Sequence, residues 1–190
     1  MRRGFKTEAR KLALQVREEM GAGLDDPFDP YDLATKYGVQ ICSLQDLVSS
    51  GANPAAVAHF TGHRANAFDA AVVPKGNGCF IVENTVHALT RRRNTMSHEM
   101  SHVVLEHPFT PTIVDSKGCR SASIEVEDEA SCLGAELLIP YESALKAARA
   151  GLTNEEVAEK YCVSPRLAAF RMSASGARKV ADRQRRFSRS

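Results

Sequence analysis

The chain has 190 residues, is 43% hydrophobic and carries 25 basic against 23 acidic side chains, a net charge of +2. That length and apolar content suffice for one well-buried domain, or one domain plus a small appendage, and exclude a chain that is disordered throughout. No run of eighteen apolar residues is present and Met1-Arg2-Arg3-Gly4-Phe5-Lys6 leads into an amphipathic segment, so neither a membrane span nor a secretory signal is expected and the protein reads as soluble and cytoplasmic.

Phe5, Ala9, Leu12, Ala13, Val16 and Met20 recur at helical spacing and predict a helix over 6–20, ended by Gly21 and Gly23. Asp29-Pro30 reads as an N-cap followed by proline at the first helical position, opening a short helix that stops at Gly38. Strands are expected over 39–43, 57–60 and 68–73, and Lys75-Gly76-Asn77-Gly78 is a turn into a further strand at 79–82. The stretch 78–84 is a candidate sheet edge for an extended ligand, with a plain core strand as the alternative. His59 and His63 are four apart, but Thr61-Gly62 between them and the strand pattern around them argue against a helical metal pair.

The helix expected next carries His98-Glu99-Met100-Ser101-His102, an HExxH motif. Residues four apart share a helix face, so both imidazoles can converge on one metal ion, and Glu99 lies where a general base reaches water without ligating the metal. With 6 His in the chain, random order produces such a motif in roughly one chain in a hundred, so context must support it. Met96, Met100, Val103 and Val104 give the segment a buried stripe, beside which the two histidines fall. Two ordinary histidines flanking a core face are the bland alternative.

His107-Pro108 closes that helix, with His107 read as a helix-end residue near the C-terminal dipole. A loop follows over 109–121, then a long helix over 124–139 stopped by Pro140. Three shorter helices are expected over 141–150, 153–162 and 164–175. Thr153-Asn154-Glu155-Glu156 is a capping box, and Ser164-Pro165 is a cap followed by an N1 proline. The last fourteen residues, 177–190, hold six basic groups against Asp182 and are expected to be a disordered tail. The five cysteines, Cys42, Cys79, Cys119, Cys132 and Cys162, form no CxxC pair and are expected to be reduced thiols.

A catalytic zinc site needs three protein ligands and one open position. The 124–139 helix offers Glu125, Glu127, Asp128 and Glu129. At about 100° per residue with Ala130 at zero, Leu133, Gly134, Leu137 and Leu138 mark a core arc from about −60° to about 80°. Glu127 falls inside it at about 60°, whereas Glu125 and Glu129 fall outside and Asp128 lies almost opposite. A carboxylate aimed into a core needs a strong partner; a metal is one, and an arginine is the alternative.

The run RRRNTMSHEMSHVVLEH at 91–107, together with EDEASCLGAELLIP at 127–140, resembles the ImmA/IrrE family of zinc-dependent metallopeptidases, whose second motif reads ExEANxFAAxLLMP. The resemblance covers roughly residues 6–176. It implies His98, His102 and Glu127 as metal ligands, Glu99 as catalytic base, and zinc as the cofactor, with manganese or iron also accepted by two histidines and a carboxylate. Ser131 stands where the family has Asn, Leu133 where it has Phe, and Asn94 replaces a Phe. Ser131 lies one turn from Glu127 and is expected to alter hydrogen bonding around the metal without removing a ligand.

The fold so implied is α+β, a mostly helical zincin-like metallopeptidase domain over 1–150 with a small mixed sheet preceding the HExxH helix. Helix-turn-helix-like helices over 151–176 form a small appendage. The substrate class implied is a protein, a helix-turn-helix transcriptional repressor whose cleavage derepresses stress or mobile-element genes. A rival reading rests on 153–172, a helix, turn and helix with Arg166 and Arg171 on the second helix: a DNA-binding regulator, or a toxin-antitoxin partner, with a structural or vestigial metal site. A base-reading helix carries more polar side chains than Leu167-Ala168-Ala169-Phe170, which favours packing. Oligomeric state is not written in the sequence.

Overall fold

The structure, a computed structural model, describes residues 1–108 and 124–187, so the loop expected over 109–121 lies outside the described residues. Helix α1 (Phe5–Glu19) forms on the expected stripe and buries Phe5, Ala9, Ala13 and Val16. Helix α2 (Pro30–Lys36) starts where the Asp29 side chain accepts from the Tyr31 amide at 2.8 Å. After strand β1 (Gln40–Ser43), helix α3 (Pro54–Thr61) occupies the segment in which the apolar run 57–60 predicts a strand. The Asn53 side chain caps the Ala55 amide at 2.9 Å with Pro54 at N1, the device also present at Asp29-Pro30. Ala55, Ala56 and Ala58 favour helix, and a single β-branched Val57 does not outweigh them.

Strands β2 (Ala70–Lys75) and β3 (Gly78–Glu83) form a hairpin across Gly76-Asn77, with Gly76 at a φ of 59°. Strand β1 pairs parallel to the other side of β3, giving the order β1-β3-β2. The central strand is therefore β3, which overturns 78–84 as a sheet edge; β1 and β2 are the edges. Lys75 pairs with Gly78 across the two-residue turn, so alternate residues Ala70, Val72 and Pro74 turn their backbone groups away from β3. Pro74 is tolerated there because its missing N–H breaks no ladder bond.

Helix α4 (Leu89–Val104) carries the HExxH motif and α5 (Ile124–Leu138) crosses it. Met96 and Met100 from α4 join Leu133 and Leu137 from α5, the α1 stripe, Leu33 and Ile81 in the main core. The helices approach closely at Gly134, where a Cβ would lie 3.1 Å from the Ser97 carbonyl oxygen, and Ser97 Oγ donates to the Gly134 carbonyl at 3.0 Å. Glycine stands mid-helix here because the neighbouring backbone leaves no room.

Helices α6 (Tyr141–Ala150), α7 (Asn154–Lys160), α8 (Pro165–Ala174) and α9 (Ala177–Phe187) share a second core with Leu138 and Ile139, including Val157, Tyr161 and Met172. The capping box at Thr153 and the cap at Ser164 both form. Helix α9 corrects the expectation of a disordered tail for residues 177–187: Ala177 and Ala181 recur four apart, are buried, and seat the helix, and Arg178 donates to the Leu152 carbonyl at 3.1 Å and to Asn154 Oδ1 at 2.7 Å. Arg171 joins the two cores by donating to the Ile139 carbonyl at 2.7 Å and pairing with Glu136. Arg93 links α4 to the Asp29 carboxylate at 3.0 Å and to the Cys162 carbonyl at 3.1 Å. Cys42, Cys79, Cys132 and Cys162 are free thiols, and no described helix is long and apolar enough to cross a membrane.

Candidate metal centre

The HExxH spacing works as the helix geometry dictates. His98 and His102 stack edge to face with ring centroids 4.9 Å apart, and their Nε2 atoms are 3.2 Å apart. Glu127 lies seven residues before Gly134, two helical turns along the same face of α5, so the close crossing at Gly134 carries it over α4. Its Oε2 is 3.2 Å from His98 Nε2 and its Oε1 is 3.8 Å from His102 Nε2. A tetrahedral ion with bonds of about 2.0–2.1 Å separates its ligand atoms by about 3.3 Å, so the three donors fit one zinc ion. Among the described residues this is the one group of three His, Cys, Asp or Glu side chains that can hold a metal ion. His59 and His63 bring their rings to 4.9 Å, but Gly62 ends α3 between them and, among the described residues, no third ligand joins them.

The sequence picks Glu127 by direction, and the structure revises the reason. Its side chain is 43% exposed, not buried. The start of α5 projects past the main core, so the inward face at that level meets the histidines of α4. The buried carboxylates of α5 are Glu129, whose Oε1 is 3.2 Å from Arg2 Nε, and Glu136, between Arg171 and Arg10. Those two fit the arginine-paired alternative.

Each histidine has its remaining nitrogen held. Ser131 Oγ lies 3.3 Å from His98 Nδ1, so the residue at this position touches a ring of the cluster. His102 Nδ1 lies 2.9 Å from Nδ1 of His107, a contact that sequence reasoning missed by treating His107 as a helix-end residue. His107 is buried, and burial pushes its pKa below the ordinary histidine value, with Glu129 opposing the shift.

Glu99 is 6% exposed, and its Oε2 accepts from the Val72 amide of edge strand β2 at 3.2 Å. With His98 it lines a cleft of about 1030 Å³ bounded by β2, α4, α5 and α8. Leu167 and Phe170 of α8 form part of its wall, so the second helix of the helix-turn-helix-like pair faces this cleft. Nothing in the local sequence pattern signals that wall, because it depends on how α8 docks.

Comparison with curated proteins and with solved structures gave no significant match. The family model described as the IrrE N-terminal-like domain, Peptidase_M78, matches residues 34–173, which include the whole sheet, α4, α5 and all but the last residue of α8. The family the motifs resemble is thus the family the whole pattern fits, and the chain belongs to the IrrE N-terminal-like peptidases.

Proposed function

We propose that the chain is a zinc-dependent metalloendopeptidase in which His98, His102 and Glu127 hold the metal and Glu99 is the general base. The observation that carries this reading is the convergence of two Nε2 atoms and a carboxylate, 3.2 to 3.8 Å apart, next to a buried Glu99 that lines a cleft together with His98. A zinc ion held there supplies Lewis acidity, lowering the pKa of water towards about 7 and polarising a carbonyl. Glu99 takes the water proton and delivers it to the leaving amine. The Val72 amide holds Glu99 Oε2, which orients the carboxylate. An extended peptide lies along edge strand β2, with an apolar side chain against Leu167 and Phe170. Manganese or iron fits the same donor set.

The substrate in this reading is a helix-turn-helix transcriptional repressor, and its cleavage derepresses stress or mobile-element genes. Incubating the zinc-loaded protein with such repressors tests it: wild type cuts and Glu99→Gln, with zinc retained, does not. Intact repressor with zinc-loaded wild type would count against proteolysis. Metal content separates the ligands, with zinc expected in Glu129→Gln and lost from Glu127→Gln. The reverse pattern would move the third ligand.

A further inference from the structure

Helix α4 ends in an unusual way. Leu105 is its C-cap, and the next residue, Glu106, holds a φ of 52° although it is not glycine. The Glu106 amide donates to the Val103 carbonyl at 3.0 Å and the His107 amide to the His102 carbonyl at 3.0 Å. This pair of bonds is a Schellman cap, a termination in which the second residue past the cap packs its side chain against the third residue from the helix end. Those two residues are His107 and His102. An apolar contact normally fills the position; here two imidazoles fill it, with Nδ1 atoms 2.9 Å apart and ring centroids 5.0 Å apart.

We propose that His107 is a positioning residue for His102, delivered by the cap of α4 and fixed in one tautomer by Glu129. The inference rests on His102 binding metal as argued above. A histidine that ligates through Nε2 carries its proton on Nδ1, so His102 donates and His107 Nδ1 accepts. The His107 proton is then on Nε2, which faces Glu129 Oε2 at 3.8 Å. Glu129 is itself fixed, its Oε1 accepting from the Arg2 amide and from Arg2 Nε at 3.2 Å each. Ligand, imidazole and carboxylate form a row that favours one tautomer of each ring. His107 and Glu129 are both buried, so water competes little for these contacts. Glu106 accepts a left-handed backbone, unfavourable without glycine, in a turn that leads to this contact.

The test is zinc affinity, measured by competition with a chromophoric chelator, together with the visible spectrum of the cobalt-loaded protein. His107→Leu removes the acceptor and is expected to weaken zinc binding about 10- to 100-fold and to shift the cobalt bands. His107→Asn, whose Oδ1 can accept in place of Nδ1, is expected to recover most of the affinity. Glu106→Gly keeps the cap and relieves its backbone, so zinc affinity is retained and the melting temperature of the metal-free protein rises by about 2–4 °C. Wild-type affinity in His107→Leu, or equal losses in the Leu and Asn variants, would overturn the proposal. A matching loss in Glu106→Gly would overturn the role of the cap. His102→Gln separates the two levels: if it still binds zinc as wild type does, the ligand assignment itself falls.

Discussion

Replacing Gly134 with alanine tests whether the helix crossing sets the metal geometry. The new methyl would sit 3.1 Å from the Ser97 carbonyl oxygen and 3.2 Å from the His98 amide nitrogen and the Ser97 carbonyl carbon. All three are backbone atoms of α4, so no rotamer change gives relief and the helices must move apart by a few tenths of an ångström. Two stability effects oppose each other: alanine in a helix interior gains about 1 kcal/mol over glycine, and overpacking costs about 1–3 kcal/mol. The net expectation is a metal-free protein destabilised by about 0–2 kcal/mol, read from urea midpoints. The consequence for the site is larger, because metal–ligand distances tolerate only about 0.2 Å. Zinc affinity is therefore expected to fall at least about tenfold, the scale on which disturbing the surroundings of a ligand acts. A variant that is stabilised by about 1 kcal/mol and binds zinc as wild type does would refute the reasoning, since it would show slack in the crossing.

Zinc removal should lower the melting temperature: metal at a hundredfold excess over Kd contributes about 2.7 kcal/mol, or about 5–10 °C for a chain of this size, checked by scanning with and without chelator. Phe170→Ser should reduce kcat/KM for protein cleavage with zinc content unchanged; unchanged cleavage would remove α8 from the substrate path. Hydrogen bonds from Lys146 and then Lys160 hold the Asp25 carboxyl down at about 2, against 3.8 for the free group. A carboxyl depressed by folding stabilises above its unfolded pKa, and that contribution is lost as pH falls from about 4 to about 2. The urea-midpoint difference between wild type and Asp25→Asn should therefore shrink across that window, and a pH-independent difference would contradict the assignment.

Capped helices were legible because a cap is written in neighbouring residues, as at Asp29, Thr153 and Ser164. The run 57–60 misleads because a short apolar stretch fits strand or helix, and the deciding signal, Asn53-Pro54, lies upstream of it. Residues 177–187 mislead in another way, since six charges at the chain's end hide the Ala177 and Ala181 stripe that seats α9. Which of β2 and β3 is the edge depends on where β1 pairs, and no local pattern records that. Within the site, His98, Glu99 and His102 are legible because one helix sets their spacing. Glu127 is legible in direction only, because a helical wheel shows which way a residue points and not what it meets. His107, the Val72 amide and the α8 wall depend on termination geometry and packing between distant segments.

The candidate metal centre sits on the rim of the main core, and this decides what orients its side chains. Met96, Ser97 and Met100 on the core side of α4 are fully buried, whereas the His98 and His102 side chains are 25% and 12% exposed. Packing can fix the helix but not the rotation of partly exposed rings, so ring orientation falls to the hydrogen bonds the rings make to Ser131 and His107. Glu99 is oriented likewise by the Val72 amide. Changes on the two sides should therefore separate in measurement. Met100→Ala, which empties a core position, should cost about 2–5 kcal/mol of stability, whereas Ser131→Ala should leave stability near wild type and weaken zinc binding. Gly134 is where the two meet, because one close backbone contact serves both the core and the ligand spacing.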